Sequence, residues 1–306
     1  MTVRGEERAM LTAESVQAAR SSGLMAGRRG LVLGVVNQRS IAWAIAQRLS
    51  AEGADLGFTY RSRSAGLWLA KAAPRLGGEP WLGRCDVNED DDLAALGADF
   101  AQAAVPAEPA GGTGPAVGSY PAGGSGKIDF IVHAVAHGDR DELAGGLAAT
   151  SRKGFTECLE TSVYSLIGLV GALRPYLAPK ASILTLSYLG SERVCHGYNV
   201  LGVAKAALES SARYLAAELG PQGARVNVLS AGPMRTLATF GLPNFSASLS
   251  QRAGRSPLGR AIDADDVAGT ALYLLSDLSS GVTGETVHVD AGYSIMGTWP
   301  GDTGHD

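Results

Sequence analysis

Short apolar runs alternate with longer stretches of helical periodicity from Arg29 almost to the end of the chain. The run at 30–36 is apolar throughout, which is typical of a strand buried on both faces. Six more strands are predicted at 54–60, 80–84, 128–135, 181–187, 225–230 and 285–289, and helices at about 40–51, 65–76, 90–104, 151–176, 198–219 and 264–276. This alternation predicts an α/β fold, a single doubly wound Rossmann-type domain with a parallel seven-stranded sheet.

Composition and charge argue against several classes of function. The 26 lysines and arginines stand against 30 aspartates and glutamates, a net charge of −4, whereas nucleic-acid-binding proteins usually carry a basic stripe. The sequence has no apolar run of about 18 residues, so no membrane span is predicted. Three widely spaced cysteines predict free thiols and a reducing compartment. The five histidines lack partners at metal-ligand spacing, so no metal site is expected.

Three segments stand apart from the alternating pattern. Residues 1–24 lack the apolar core of a secretory signal and are interpreted as a disordered N-terminal extension or as the result of a start codon assigned too early. Residues 105–126 contain seven glycines and four prolines, which predicts a flexible insertion loop. We expect one domain over 25–300 and a C-terminal tail at 301–306.

Candidate dinucleotide-binding residues follow the first two predicted strands, because ligands of such sheets bind at the carboxyl ends of the strands. Gly34 and Ser40 bound the first turn, where a glycine allows close approach of the backbone to a pyrophosphate and the next helix supplies free N–H groups. Arg61 and Arg63 follow the second strand, where arginines suit a ribose 2′-phosphate. An ordinary βα turn and a solvated basic turn are the plainer alternatives.

The ends of the third and sixth strands add further candidates. Asp86 can accept a hydrogen bond from an adenine amino group while Val87 packs on the ring, although Asp86 can equally be the N-cap of the next helix. After the sixth strand, the amides near Met234 can bind a carboxamide and Thr236 can contact a diphosphate. Residues 237–256 would then form a mobile lid beside the substrate.

Tyr188, Tyr198 and Lys205 form the strongest candidate catalytic group. Tyr198 and Lys205 are seven residues apart, nearly two helical turns, so both are expected on one face of a helix about 10 Å apart along its axis. A buried lysine would lower the pKa of the tyrosine and help its hydroxyl to stabilise an oxyanion. Tyr188, at the end of the fifth strand, can reach the same pocket. Each residue alone would more simply be a core tyrosine or a surface lysine.

These motifs together resemble the enoyl-acyl-carrier-protein reductases, a branch of the short-chain dehydrogenase/reductase superfamily. The resemblance rests on a glycine followed after five residues by Ser-Ile-Ala at 34–42, on Leu-Ser-Tyr-Leu-Gly at 186–190, on the Tyr-x6-Lys spacing and on Ser-Ala-Gly-Pro-x-Arg-Thr-Leu at 230–237. It covers about residues 28–297 apart from the loop at 105–126. The TGxxxGxG and YxxxK patterns of the ordinary branch are absent.

The resemblance implies reduction of the trans-2 double bond of enoyl thioesters on acyl carrier protein, with hydride from NADH, in fatty-acid elongation. It implies that Tyr198 bonds the thioester carbonyl, that Lys205 bonds the nicotinamide ribose and that Tyr188 lies beside the substrate. The expected cofactor-binding residues are Gly34, Ser40, Ile41, Arg61, Asp86, Val87, Ala134, Lys205, Met234 and Thr236, and the expected substrate-binding residues are Ala136, His137, Tyr188 and Tyr198. A cytoplasmic homotetramer is the implied assembly.

Three features depart from the family pattern, and one is the loop at 105–126, which has no counterpart in it. His137 stands where an aromatic or small apolar residue is expected beside the substrate, and Arg61 and Arg63 keep NADPH open as an alternative to NADH. Two other functions also stay open. One is a short-chain dehydrogenase/reductase that acts on a carbonyl or an alcohol, against which the Tyr-x6-Lys spacing speaks. The other is a catalytically silent dinucleotide-binding paralogue, which would have no chemical need for all three candidate catalytic residues.

Overall fold

The sheet has the predicted architecture in a computed structural model that describes residues 23–103, 126–234 and 253–298. Its strands are β1 (Arg29–Leu33), β2 (Asp55–Tyr60), β3 (Trp81–Arg84), β4 (Ile128–His133), β5 (Leu177–Ser187), β6 (Arg225–Ala231) and β7 (Thr286–Val289). They lie in the order β3-β2-β1-β4-β5-β6-β7, and every neighbouring pair is parallel. The α/β fold with a parallel seven-stranded sheet is confirmed.

Helices cover both faces of the sheet. They are α1 (Ile41–Ala51), α2 (Arg63–Ala72), α3 (Asp90–Gln102), α4 (Arg140–Ala144), α5 (Arg152–Leu159), α6 (Ser165–Leu173), α7 (Asn199–Leu219) and α8 (Ala264–Leu275). One apolar core lies under α1, α2 and α8, and the other lies under α3, α5, α6 and α7. Side chains alternate across a strand, so Val32 of β1 joins the first core while Leu31 and Leu33 join the second.

Several element boundaries differ from the prediction. The strand predicted at 30–36 ends at Leu33, because Gly34 has a left-handed backbone with φ of +91° that extended structure does not allow. The helix predicted at 151–176 is divided into α5 and α6 by a π-helical turn at Glu160–Tyr164. The short helix α4 was not predicted from the sequence. Its first turn is capped by Asp139, whose carboxylate accepts from the Asp141 N–H at 2.9 Å.

Most of the segments predicted to flank or interrupt the domain lie outside the described residues. This holds for 1–22 of the expected extension, for 105–125 of the expected loop, for the tail 301–306 and for most of the expected lid at 237–256. The described part of the chain begins shortly before Met25, which is fully buried in the first core. The Met25 N–H donates to the carbonyl of Glu52 at 2.9 Å, which ties this segment to the end of α1.

Within 23–103, 126–234 and 253–298, no helix is long and apolar enough to cross a membrane. Across the same ranges, no group of three His, Cys, Asp or Glu side chains could hold a metal ion. The three cysteines are free thiols, of which Cys85 and Cys158 are buried.

Candidate active site

Two loops meet at the carboxyl edge of the sheet, where β1 and β4 are neighbours and the direction of the connections reverses. Such a switch point is where open parallel sheets bind ligands. Gly34 follows β1 and Ala134 follows β4, and the Ala134 N–H donates to the carbonyl of Leu33 at 3.3 Å. A Cβ at Gly34 would lie 2.0 Å from the Ala134 carbonyl oxygen, so the two loops approach this closely only because residue 34 is glycine.

Ser40 shapes the turn that leads into α1. Its Oγ accepts hydrogen bonds from the N–H groups of Val36 at 3.0 Å and Asn37 at 3.1 Å, and it makes no capping bond to the helix. The hydroxyl therefore folds the turn and leaves the first N–H groups of α1 to face an anion. Ile41, the first residue of α1, packs against the first core and fixes where that helix begins.

The residues predicted to bind the adenosine end lie close to one another. Arg61 Nε is 3.9 Å from Asp86 Oδ2, a long ion pair, and Arg63 begins α2 with its side chain exposed. The N-cap alternative for Asp86 is wrong: Glu89 holds that position, while Asp86 Oδ1 accepts from the Asn88 N–H at 3.2 Å. This local bond tightens the turn after β3.

The three candidate catalytic residues lie at the ends of β5 and α7. The rings of Tyr188 and Tyr198 are 4.8 Å apart and inclined by 69°, an edge-to-face contact. Tyr198 was predicted to lie in the first turn of the helix. It is instead the N-cap residue of α7, with φ of −102° and ψ of −24°, and the helix begins at Asn199. Lys205 is 6% exposed, and its Nζ donates to the Leu186 carbonyl at 2.7 Å.

Burial controls the protonation of this group. Burial raises the pKa of Tyr198 well above its ordinary value, and the neighbouring Tyr188 adds to the rise. The expected lowering of the pKa of this tyrosine is therefore wrong, because removal of the phenol from water disfavours its anion. Burial lowers the pKa of Lys205 to about 8. At neutral pH Tyr198 keeps its proton, so it is a hydrogen-bond donor, and Lys205 is predominantly an ammonium.

A buried histidine beside the site was missed by the sequence analysis. His133 ends β4 and is fully buried, with its Nδ1 2.9 Å from Thr185 Oγ1 and its Nε2 2.8 Å from Ser165 Oγ. Both hydroxyls also donate to backbone carbonyls, Ser165 to that of Thr161 at 2.7 Å and Thr185 to that of His133 at 3.2 Å. Burial lowers the pKa of His133 to about 3, and the charge of Lys205 acts in the same direction, so the ring is neutral.

The π-helical turn holds the loop that follows β4. Ser162 is fully buried, and its Oγ accepts from the His137 N–H at 3.0 Å and donates to the His137 carbonyl at 3.1 Å. The side chains of Ala136 and His137 are exposed at the edge of the sheet. A single hydroxyl thus fixes both backbone groups of the residue predicted to contact substrate, a role that no sequence motif had indicated. Local π-helical geometry is common at functional sites.

The end of β6 completes the described part of the edge. Met234 is buried, and Tyr188, Ser230, Pro233 and Asp290 are among the residues that line a small pocket there. Ser230 Oγ is buried and has no hydrogen-bond partner among the described residues. An orphaned hydroxyl, a glycine turn that a Cβ would fill and a buried ammonium at one edge fit a bound dinucleotide. The predicted residue Thr236 lies outside the described residues.

The fold and this edge define a class of protein. Oxidoreductases of the Rossmann type bind a nicotinamide dinucleotide at the switch point of a parallel sheet. Here the same edge carries a protonated tyrosine and a buried lysine, groups that can bind a polar oxygen of a substrate and a ribose. The chain is accordingly placed among the nicotinamide-dependent oxidoreductases.

Comparisons with known proteins specify the family. The profile of the enoyl-(acyl carrier protein) reductase family matches residues 34–105 and 122–294. Enoyl-[acyl-carrier-protein] reductase [NADH] 1 of Rhizobium meliloti is 44% identical over 279 residues, which cover 91% of this chain and 94% of the relative. The Escherichia coli enzyme of the same name, enoyl-[acyl-carrier-protein] reductase [NADH] FabI, is 39% identical, with 89% and 96% covered.

Solved structures agree. An enoyl-acyl-carrier-protein reductase from Anaplasma phagocytophilum in complex with NAD superposes with a TM-score of 0.81 at 41% identity, covering 91% of this chain and 98% of that one. The Bacillus cereus enzyme with NADP+ and an indole naphthyridinone gives 0.82 at 40% identity, with 90% and 100% covered. The chain belongs to the enoyl-acyl-carrier-protein reductase family. The family resemblance and the enzyme class, an oxidoreductase of fatty-acid synthesis, are confirmed.

Proposed function

We propose that this protein reduces the trans-2 double bond of enoyl thioesters carried by acyl carrier protein, the reductive step of fatty-acid elongation. The observation that carries the proposal is the convergence of Tyr188, Tyr198 and Lys205 at the switch-point edge of a sheet whose sequence belongs to this family. A nicotinamide cofactor bound at that edge supplies the hydride.

Tyr198 is the group that binds the thioester carbonyl. Reduction at C3 moves negative charge onto the carbonyl oxygen, and a protonated phenol stabilises that charge by donating a hydrogen bond. The raised pKa of Tyr198 keeps the donor in its neutral form across the physiological range. Tyr188 packs edge-on against the ring and holds it in place, and its own hydroxyl lies on the substrate side in this proposal.

Lys205 holds the nicotinamide ribose in this proposal. An ammonium has three donors, and one is used on the Leu186 carbonyl, so two more are available for hydroxyl groups. Its burial limits the competition from water for those donors. The remaining residues proposed to hold the cofactor are Gly34, Ser40, Ile41, Arg61, Asp86, Val87, Ala134, Met234 and Thr236.

We propose NADH as the preferred cofactor, as in the curated relatives, with NADPH as the second candidate. NADPH is favoured by one observation, the exposed guanidinium groups of Arg61 and Arg63 where a ribose 2′-phosphate would lie. The ion pair of Arg61 with Asp86 is 3.9 Å long, so a phosphate could compete for that arginine at little cost.

The substrate pocket in this proposal is bounded by Ala136, His137, Tyr188 and Tyr198. His137 brings an imidazole to a position where an apolar side chain would favour a long acyl chain. We therefore propose that short or polar enoyl thioesters are accepted better than long ones. The two hydrogen bonds of Ser162 Oγ to the backbone of His137, here called the Ser162 clasp, keep this loop fixed while the substrate binds.

We propose a cytoplasmic homotetramer. Large apolar side chains are exposed on the outer sides of neighbouring helices. Tyr164 directly precedes α6 and Ile167 lies in its first turn, while Val203 and Tyr214 lie eleven residues apart on α7. Tyr214 is 78% exposed, which is unfavourable for so large a ring in water. Light scattering of the purified protein should give four times the mass of the chain.

The reaction is tested with the purified chain and a trans-2-enoyl thioester, with NADH and NADPH in parallel reactions. The absorbance of the reduced nicotinamide is followed over time. Consumption that depends on the enoyl substrate, faster with NADH, is expected. A second pair of reactions contains a 3-ketoacyl thioester instead. Consumption with the ketoacyl substrate alone would favour the carbonyl-reducing alternative, and no consumption with either substrate at any chain length would favour a silent binding protein.

A further inference from the structure

Glu209 is a buried acid that the proposed reaction does not use. It lies on α7, four residues after Lys205, and is 6% exposed. Residues four apart on a helix are neighbours on one face, with Cβ atoms about 5–6 Å apart. A carboxylate buried to this extent is costly unless it is paired and hydrogen-bonded. Its position therefore calls for an opposite charge nearby. Lys205 is the buried ammonium on the same face, and the two charges interact at a longer range than a direct ion pair.

Both side chains reach consecutive residues of β5. Lys205 Nζ donates to the Leu186 carbonyl at 2.7 Å, and the hydroxyl of Ser187 donates to Glu209 Oε1 in a short hydrogen bond. Ser187 directly precedes Tyr188. Two successive turns of α7 are thus hydrogen-bonded to the end of β5, directly before Tyr188.

The groups that face Lys205 from other elements do not provide the counter-charge. His133 on β4 is neutral because burial lowers its pKa to about 3. Cys158 on α5 is the other acid that faces this lysine, and burial raises the pKa of its thiol, so it too is neutral near pH 7. Cys158 and, after it, Glu209 raise the pKa of Lys205 against the effect of burial, and Glu209 is the carboxyl group of the two.

We propose that Glu209 is a positioning residue: its carboxylate is the counter-charge of the buried Lys205 ammonium and, through Ser187, it holds the end of β5 beneath Tyr188. Its importance for the reaction rests on the proposed function, whereas its pairing with Lys205 does not. A Glu209→Gln variant separates the two roles, because glutamine has nearly the same shape and can still accept the Ser187 hydrogen bond, but it carries no charge.

The pairing is tested by the thermal midpoint of the cofactor-free full chain as a function of pH. The ammonium of Lys205 loses its proton as pH rises through about 8. Below that pH, Glu209→Gln leaves a buried cation without its partner and should lower Tm by about 3 °C or more. Near pH 10 the lysine is neutral in the folded protein, so the difference in Tm should shrink or reverse.

Two controls keep the result specific. In a Lys205→Met background, Glu209→Gln should show no such pH-dependent loss, because there is no cation to leave unpaired. Ser187→Ala keeps both charges and should lower Tm by an amount that does not change with pH. A Glu209→Gln effect that is equal at both pH values, or that persists in the Lys205→Met background, would overturn the counter-charge assignment.

The consequence for turnover is measured separately from the pairing. With an enoyl thioester, the alkaline limb of the kcat/KM profile should move to lower pH by about one unit in Glu209→Gln, the size of shift that an adjacent opposite charge produces. An unmoved limb would overturn the role in catalysis. Failure of the wild-type chain to turn over would contradict the proposed function and would leave the Tm result to decide the pairing.

Discussion

The phenol ring of Tyr188 meets the ring of Tyr198 edge to face, with centroids 4.8 Å apart, and this contact joins the end of β5 to the start of α7. Removing the Tyr198 hydroxyl should keep this packing and delete the hydrogen bond that we propose it makes to the substrate. We expect Tyr198→Phe to lower kcat/KM by about 100- to 1,000-fold, the usual loss of one oxyanion donor. Steady-state kinetics and a Tm within about 2 °C of wild type check this.

Tyr176→Phe is the matched control, since Tyr176 lies in the 3-10 turn before β5, away from the site. It should leave kcat/KM unchanged. Full activity of Tyr198→Phe would remove Tyr198 from the mechanism.

Ser162→Ala should loosen the loop after β4, because it removes the partner of both the N–H and the carbonyl of His137. We expect a loss of stability of about 0.5–1.5 kcal/mol, the net contribution of a typical hydrogen bond, because both backbone groups of His137 are only partly buried. KM for the enoyl substrate should rise by a larger factor than kcat falls, because in the proposed function this loop positions the substrate and does no chemistry. Ser211→Ala, which removes a hydroxyl bonded within α7, is the control and should change neither constant. Equal effects of the two variants would argue against a specific clasp.

Gly34→Ala should damage the switch point. The new methyl group would lie 2.0 Å from the Ala134 carbonyl oxygen, and a left-handed φ of +91° strains any residue with a Cβ. We expect at least about 1–2 kcal/mol of destabilisation from the backbone alone. Affinity for the reduced dinucleotide, measured by fluorescence titration, should fall tenfold or more. Gly269→Ala in α8, where nothing lies within 4 Å of the new methyl group, should be neutral or stabilising.

His133 makes the protein sensitive to acid. The folded protein holds the pKa of His133 at about 3, whereas an unfolded histidine titrates near 6.5. Below about pH 6.5 the unfolded state therefore binds more protons, so the free energy of unfolding should fall as pH decreases, by roughly 2 kcal/mol between pH 6.5 and 5. In His133→Gln this part of the pH dependence should disappear, although the variant is less stable at pH 7.

Calorimetry of both proteins across that range tests the prediction. His196→Gln is the control, because His196 is exposed and its replacement should leave the slope of Tm against pH unchanged. Parallel curves of Tm against pH for wild type and His133→Gln would show that the buried imidazole does not cause the loss of stability in acid.

The fold was largely predictable because its signals are local. Seven apolar runs and the helices between them follow from periodicity alone, and all seven strands are found. The element boundaries that were predicted wrongly depend on contacts with distant parts of the chain. The π-helical turn at Glu160–Tyr164 coincides with the Ser162 clasp on His137, a contact across 25 residues that periodicity does not contain.

Those features of the site that depend on the spacing of residues along the chain could be predicted. Those that depend on the register between neighbouring strands could not. The position of Lys205 on the helix that follows Tyr198 was predicted from the spacing, whereas Tyr198 itself is the N-cap residue and lies outside the predicted first turn. The network of His133 with Thr185 depends on β4 and β5 pairing so that these two residues stand side by side, and no sequence pattern specifies that register. The direction of the Tyr198 pKa shift was mistaken for the same kind of reason, since burial is a property of the packed chain.

The central claim is that this edge of the sheet reduces a carbon–carbon double bond and not a carbonyl. The most direct measurement is the mass spectrum of the acyl product after reaction of a trans-2-enoyl thioester with NADH deuterated at the transferred position. The account predicts a saturated acyl thioester with one deuterium at C3 and a solvent proton at C2. An unchanged enoyl chain, or deuterium on the former carbonyl carbon of an alcohol product, would contradict it.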